Sequence, residues 1–353
     1  MGKTYRIKDI AALSGVSTGT VDRILHNRGK VSEEARQKVE AVLKEIDYHP
    51  NLIARSLALK KQYHLFTLIP SYQPGEYWEL FMQGVDKAEQ ELFSYNINVT
   101  SLYFNQFDKS NFDKLTDELL AADCQGVVIA TLFKQGVLEL IASLDEKNIP
   151  YVLVDAYIEN TRSIAYYGTN SYDSGYIAGR LLLEQITDGE DIATFRFIRK
   201  GEANATQVQI RETGFRAYLS EHNYSGKIHS VQLHADNQEE NFRVLDAFFE
   251  ANPDLHSGII FSSRAYILGE YFNKRKSNSL FKLIGYDVIE KNVTYLENGL
   301  ITHLIAQRPE VQGFNSLKAL FRHLVLQEQV PPINYMPIDV LIKENIKYYN
   351  NYI

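Results

Sequence analysis

Thr18, Gly19, Asp22 and Arg23 lie in the run V-S-T-G-T-V-D-R-I-L, interleaved with Val21, Ile24 and Leu25 at helical spacing. The apolar three define the inner face of a short helix, so the polar four project outward near its N-terminus. An arginine beside short polar groups at such a helix end can read base edges, its guanidinium pairing with O6 and N7 of guanine. Asp22 can accept from a cytosine amine or orient Arg23, but it cannot hold a phosphate. Gly19 offers no reading group and costs the helix about 1 kcal/mol against alanine. The competing interpretation is an ordinary helical surface with unselected polar residues.

A second set of residues follows apolar strands further along the chain. It comprises Tyr77 and Trp78, Thr131, Asp155, Asn170 and Asp173, Ser263 and Arg264, Asp287 and Gln307, joined by Arg211 from a helix. Flat rings suit the C–H faces of a polyhydroxylated ligand, while carboxylates, amides and an arginine suit its hydroxyl pairs. Each also has a structural role open to it: an aspartate after a strand caps helices, and a Tyr-Trp pair packs. Catalysis finds no support. The chain has no G-x-x-x-x-G-K-[ST] phosphate loop or H-E-x-x-H zinc motif, and its G-x-S-x-G match, Gly15–Gly19, falls between two helical segments rather than in the strand-to-helix turn a nucleophile elbow needs. Its nine histidines are dispersed without a ligand-like pair, and Cys124, the sole cysteine, forms neither an intrachain disulfide nor a thiolate cluster. No metal or cofactor is expected.

The elements that must position the first set are three short helices. Ile7, Ile10, Ala11 and Leu13 give one apolar face, and Ser14-Gly15-Val16 breaks it with the residue a tight turn requires. Ser17 can cap the second helix and Ser32 the third, where Glu33 and Glu34 suit the helix dipole. Two helices around a glycine turn, buttressed by a third, make a helix-turn-helix unit. Pro50 then ends the third helix and can open another over Asn51–Ala58, too short to be stable alone. Residues 1–62 hold 12 Lys+Arg against 7 Asp+Glu, a net +5 in a chain of net −7, which leaves −12 for the rest. A basic head on an acidic body confines attraction for a polyanion to the head.

Beyond Gln62, apolar strands alternate with amphipathic helical segments: His64–Pro70, Ile97–Phe104, Gly126–Ala130, Tyr151–Val154, Ile164–Gly168, Ile192–Ile198, Lys227–Leu233, Gly258–Phe261, Phe281–Gly285, Ile301–Ala306 and Asn334–Leu341. Such alternation predicts parallel sheets flanked by helices, and this many strands predict two sheets rather than one. No internal repeat shows in the sequence. Ligands of such folds sit beyond the carboxyl ends of the strands, where the second set lies. No apolar run approaches the ~20 residues a bilayer span needs, and no signal region is visible, so a cytoplasmic protein is expected.

Taken together, Arg6–Leu59 resembles the DNA-binding headpiece and hinge helix of LacI-family bacterial transcription regulators. The resemblance implies that helix two docks in the major groove of a palindromic operator, with Thr18, Gly19, Asp22, Arg23 and Asn27 at the contact. It also implies that paired hinge helices of a homodimer wedge Leu57 into the minor groove beside Ala54. Residues 63–345 resemble the type I periplasmic-binding-protein sensor of that family in I-P-Y-V-L-V-D, N-S-Y-D-S-G-Y-I-A-G-R-L, I-R-E-T-G-F, I-G-Y-D and Q-R-P-E-V-Q-G. The resemblance implies effector contacts from Tyr77, Trp78, Thr131, Asp155, Asn170, Arg211, Ser263, Arg264, Asp287 and Gln307.

The fold expected is an all-α helix-turn-helix headpiece followed by an α/β two-lobed domain with two parallel sheets. Residues 1–50 form the headpiece, 51–62 the hinge, and 63–345 the sensor. The N-lobe takes about 63–167 and 307–335, the C-lobe about 168–306 and 336–353. Dimer contacts are expected from the first-lobe helices over Glu76–Phe93 and Phe112–Ala121, and Tyr348–Ile353 reads as a strand extension or frayed end. Ser263-Arg264 departs from the Asn-Asp usual in relatives. If Arg264 faces the cleft, it and Arg211 favour a sugar acid or phosphate; if it pairs with a carboxylate, a neutral sugar remains open. The alternatives to a sugar-responsive repressor-type regulator are a transport receptor, which the body alone would suit, and a carbohydrate-active enzyme.

Overall fold

The computed structural model describes residues 5–25, 31–46, 62–198, 205–275 and 281–352. The chain forms two compact units, Met1–Leu59 and Lys60–Ile353. In the first, α1 (Ile7–Ser14), α2 (Thr18–Leu25) and α3 (Glu33–Glu45) pack around Ile10, Ala11, Val21, Ile24, Val39 and Val42. Gly15 ends α1 at φ 69°, a left-handed turn that a side chain would resist. The Ser17 hydroxyl accepts from the Thr20 N–H, and Ser32 accepts from Ala35, so both predicted caps form. Leu13, expected on the inner face, is instead exposed, and Ser14 takes the buried place by bonding back to the Ile10 carbonyl.

Gly19 has no packing reason to be glycine. An added Cβ would meet nothing closer than its neighbours Arg23 and Ser17, at 3.8 and 3.9 Å. Gly19→Ala is therefore expected to slow hydrogen exchange of the α2 amides in the full chain, by up to ~1 kcal/mol of added local stability. Faster exchange would show a constraint on this position that the packing does not contain.

The second unit holds two six-stranded sheets of the same winding. The first runs β11-β5-β4-β3-β1-β2, with β1 Tyr63–Pro70, β2 Ile97–Phe104, β3 Gly126–Ala130, β4 Tyr151–Val154, β5 Ala165–Gly168 and β11 Ile333–Tyr335. The second runs β12-β10-β9-β8-β6-β7, with β6 Ile192–Phe197, β7 Ile228–Leu233, β8 Ser257–Ile260, β9 Lys282–Tyr286, β10 His303–Ala306 and β12 Asp339–Leu341. All pairings are parallel except β10–β12. Strands such as β3 and β4 are buried at every residue, which is why they read as continuous apolar runs rather than alternating ones.

The predicted strand Asn334–Leu341 is two strands, one in each sheet. Pro337 lies between them, and with no N–H to give a ladder it ends the first pairing. The chain thus passes between the lobes three times: after β5, after β10 and through Met336–Ile338. Ile346–Tyr352 is a 3₁₀ turn with Ile346 buried in the second core, rather than a strand extension.

Helices α4 (Tyr77–Leu92) and α12 (Pro309–Phe321) pack together in the first lobe, α7 (Ser171–Leu183) and α8 (Thr206–Glu221) in the second. Both contacts are backbone on backbone through reciprocal glycines. A Cβ on Gly84 would stand 2.0 Å from the Glu310 carbonyl oxygen, and one on Gly313 2.0 Å from that of Phe81. In the second lobe a Cβ on Gly175 would stand 1.8 Å from the Arg211 carbonyl oxygen, and one on Gly214 2.0 Å from that of Tyr172. The apolar face of α4 is spent inside the lobe, where Phe81, Met82, Val85, Ala88 and Leu92 are core. Among the described residues no helix is long and apolar enough to cross a membrane.

Candidate functional site

Loops at the carboxyl ends of both sheets line one cleft, enclosing about 880 Å³ with the solvent at its mouth included. Eight of the ten predicted contacts meet there: Tyr77, Trp78, Asp155, Arg211, Ser263, Arg264, Asp287 and Gln307. Topology explains the meeting. Asp155 follows β4 and Asp287 follows β9, the fourth strand of each lobe, and both adopt left-handed backbone, at φ 83° and 71°. Non-glycine residues reach that region at a cost of about 1–2 kcal/mol, so each needs a clamp.

Thr131 is the first clamp. Its hydroxyl lies 2.8 to 3.0 Å from the Ala156 and Val154 carbonyls and accepts from the Ala156 N–H, pinning the chain on both sides of Asp155. Asn292 is the second, with its amide nitrogen shared among the carbonyls of Ser263, Tyr286 and Asp287 at 2.9 to 3.0 Å. Thr131 therefore does not line the cleft. Asn170 does not either: its side chain accepts from Asp173 N–H and caps α7, and Asp173 serves that cap outside the cleft.

Arg211 is 1% exposed, the largest fully buried side chain of the body. Its guanidinium stacks 3.9 Å from the Tyr286 ring centre, and Nη1 donates to the Phe261 carbonyl at 2.8 Å. Its Nε and Nη2 have no hydrogen-bond partner among the described residues. Unmade bonds on a buried cation are costly, and Arg211 lines the cleft together with Asp155 and Asp287. Gln307, on the crossover after β10, donates to Asp287 Oδ1 at 2.7 Å and accepts from Gln207 at 3.1 Å. Gln207 also donates to the Asp155 carbonyl, so one amide chain ties both aspartates. Tyr77 and Trp78 stand edge to face at 5.1 Å at the head of α4, and burial pushes the Tyr77 phenol well above its ordinary pKa, keeping it a neutral donor.

Burial pushes the Asp287 carboxyl from an ordinary 3.8 up to about 6, against the pull of Arg211 and of the Gln307 hydrogen bond. A ligand hydroxyl donating to Asp287 needs the carboxylate and lowers its pKa on binding, so a proton is released. Effector affinity is therefore expected to rise with pH through about 6 and to lie ~10-fold lower at pH 5 than at pH 7. Titration calorimetry across that range checks it, and Asp287→Asn should flatten the profile.

The cleft also contains residues that the sequence did not single out: Gln207, Glu76, and the Phe107 and Phe197 rings. Gln207 lies in the helix that carries Arg211, one turn earlier, so helical spacing from Arg211 could have found it. In the headpiece, Thr18, Gly19 and Arg23 are exposed on one side of α2, with Asp22 half-buried beside them. Arg23 Nε bonds the Gly19 carbonyl at 3.0 Å, a bond it must release to reach a base. Asn27, Ala54 and Leu57 lie outside the described residues.

A two-lobed receptor with a polar, aromatic cleft, joined to a helix-turn-helix unit, defines a ligand-responsive DNA-binding protein. The comparisons with known proteins agree. Residues 6–51 match the family of bacterial regulatory proteins, lacI family, and residues 66–328 match the periplasmic binding protein domain. A solved structure from Bacteroides fragilis, described as a candidate LacI transcriptional regulator, is 39% identical; the match covers 82% of this chain and 100% of that one, at a TM-score of 0.79. The ribose operon repressor of Halalkalibacterium halodurans is 25% identical over 97% of both chains. The sucrose operon repressor of Staphylococcus xylosus is 29% identical over 92% of this chain and 96% of its own. The chain belongs to the LacI family, as a DNA-binding transcription regulator with an effector domain of the periplasmic-binding-protein type.

Proposed function

We propose that this regulator senses a carbohydrate in the cleft and that occupancy sets its affinity for a palindromic operator, bound by a homodimer in the cytoplasm. The observation that carries the reading is Arg211, a buried guanidinium with two donors unmade beside two aspartates and a Tyr-Trp pair. A vicinal diol offers hydroxyl donors to carboxylates and oxygen acceptors to the two open donors of the arginine. Named relatives regulate ribose and sucrose operons, which supports the same ligand class. Residues 1–50 would hold the operator, 51–62 the hinge, and 63–345 the effector. No role in chemistry is assigned to the cleft.

The reading is tested by mobility shifts of promoter fragments from the genomic neighbourhood, with and without a sugar panel, alongside sedimentation to fix the oligomer. Sugar-dependent retardation of a fragment with two half-sites about one helical turn apart is expected. Protection of one unpaired half-site overturns the dimer, and indifference to every sugar overturns the effector class. Arg23→Ala should weaken operator binding by ~1–3 kcal/mol and relax choice at one base pair, leaving effector binding untouched.

A further inference from the structure

The departure at Ser263-Arg264 has a partner 188 residues away. Arg264 Nη2 donates to Glu76 Oε1 at 3.0 Å, joining the loop after β8 in the second lobe to the loop after β1 in the first. Both side chains line the cleft and are nearly buried, at 11% and 15% exposure. Nη1 of the same guanidinium bonds the Ala235 carbonyl at 3.1 Å, and its carbon stands 5.2 and 5.8 Å from the ring centres of Phe107 and Phe197. Glu76 is held in turn, its second oxygen accepting from the Gln73 N–H at 3.0 Å. Neither charge is free to wander.

The pair sits where the enclosed cleft meets an outer recess lined by Asn105, Asp108, His234, Asp236 and Asn237, with Phe107 common to both. The charge of Arg264 is therefore spent on Glu76 before any ligand arrives. Of the other described cations of the cleft, Arg196 shares Glu212 with Arg216, and Arg211 lies deep in the field of Asp287. Among the described residues of the cleft, a phosphate or carboxylate on the ligand would find the charge of Arg264 already taken and would face the carboxylates of Glu76, Asp155 and Asp287.

We propose that Glu76 and Arg264 form a charge filter across the cleft that restricts the effector to an uncharged sugar. This rests on the sugar reading above and specifies its ligand. The filter acts by occupancy: Glu76 silences Arg264, which would otherwise welcome an anion. Removing the carboxylate while keeping the arginine should switch the preference, and removing both should not.

The test uses the full chain and follows fluorescence of Trp78, the only tryptophan and a cleft residue, with titration calorimetry alongside. The ligands are aldopentoses and aldohexoses, each with its uronate and its terminal phosphate. The wild type should bind a neutral sugar at least 100-fold tighter than either matched anion. Glu76→Gln, which retains an acceptor for Gln73, should bring the anion at least tenfold closer to its neutral parent. In Glu76→Gln/Arg264→Gln that gain should vanish, an outcome that loosened packing alone does not produce. Equal gains in the single and double variants, or a wild type that prefers an anionic sugar, overturn the filter and leave the sugar reading intact. Silence of the wild type to every sugar overturns the sugar reading instead.

Discussion

Replacing Arg211 by methionine should lower effector affinity by about 100-fold or more, while operator binding persists and no longer responds to ligand. Hydrogen bonds from a charged donor contribute ~1.5–3 kcal/mol each, and two of this guanidinium's donors have no partner among the described residues. A second effect runs in the same direction. Arg211 is the largest influence holding the Asp287 carboxyl down against burial. Without it, Asp287 should titrate above about 6, and a neutral acid accepts ligand hydroxyls less well. Folding stability should fall as well, by up to ~3–5 kcal/mol, because removing one partner of a buried charged set leaves Asp287 uncompensated and the Phe261 carbonyl without its donor. Calorimetry at pH 7 and pH 8, with mobility shifts in parallel, separates the parts. If methionine at this position preserved ligand control of the operator complex, the cleft would not be the effector site.

Much of this site was legible one strand at a time. Asp155 and Asp287 end buried apolar runs, and the rule that ligands sit beyond such ends placed them without any knowledge of the fold. The headpiece was equally local, its caps at Ser17 and Ser32 and its turn at Gly15 each declared by a few neighbouring residues. The misreadings share a physical cause. Thr131 and Asn170 stand at strand ends like the rest, but they spend their polar groups on the backbone. The carbonyls that hold Thr131 lie 23 and 25 residues away, out of reach of local reading, whereas Asn170 caps its own helix through Asp173, three residues on. Pro337 was a visible stop that a weak, largely exposed edge pattern outweighed. Glu76 could not be paired with Arg264 from sequence at all, because nothing local to either marks the other.

The likeness of the two lobes was the deepest feature hidden from the sequence. The five-strand order β5-β4-β3-β1-β2 recurs as β10-β9-β8-β6-β7, yet no residue repeat announces it. What recurs is function by position: a left-handed aspartate after each fourth strand, a clamp beside it, and a helix pair in glycine contact. Threonine clamps one aspartate and asparagine the other. Different side chains reach one geometry, so a search for repeated letters finds nothing, while the shared topology brings two half-sites face to face across the cleft.

That reasoning makes Gly175 a position of large effect despite its distance from any ligand group. Alanine there should destabilise the body by about 3 kcal/mol and weaken effector binding more than tenfold. The new Cβ would stand 1.8 Å from the carbonyl oxygen of Arg211 and 2.6 Å from its carbonyl carbon, so the obstacle is backbone, with no side chain free to swing aside. Overpacking of this kind ordinarily costs ~1–3 kcal/mol, and the reciprocal contact at Gly214 leaves α7 no easier line of retreat. Whatever separation relieves the clash moves α8, and α8 carries both Gln207 and Arg211. Groups that must meet a ligand in fixed register lose heavily when displaced by even an ångström. Thermal unfolding and Trp78 titration of Gly175→Ala measure the two effects independently. A wild-type unfolding midpoint with wild-type affinity would mean the helices part freely, and the rigid delivery of Arg211 to the cleft would have to be abandoned.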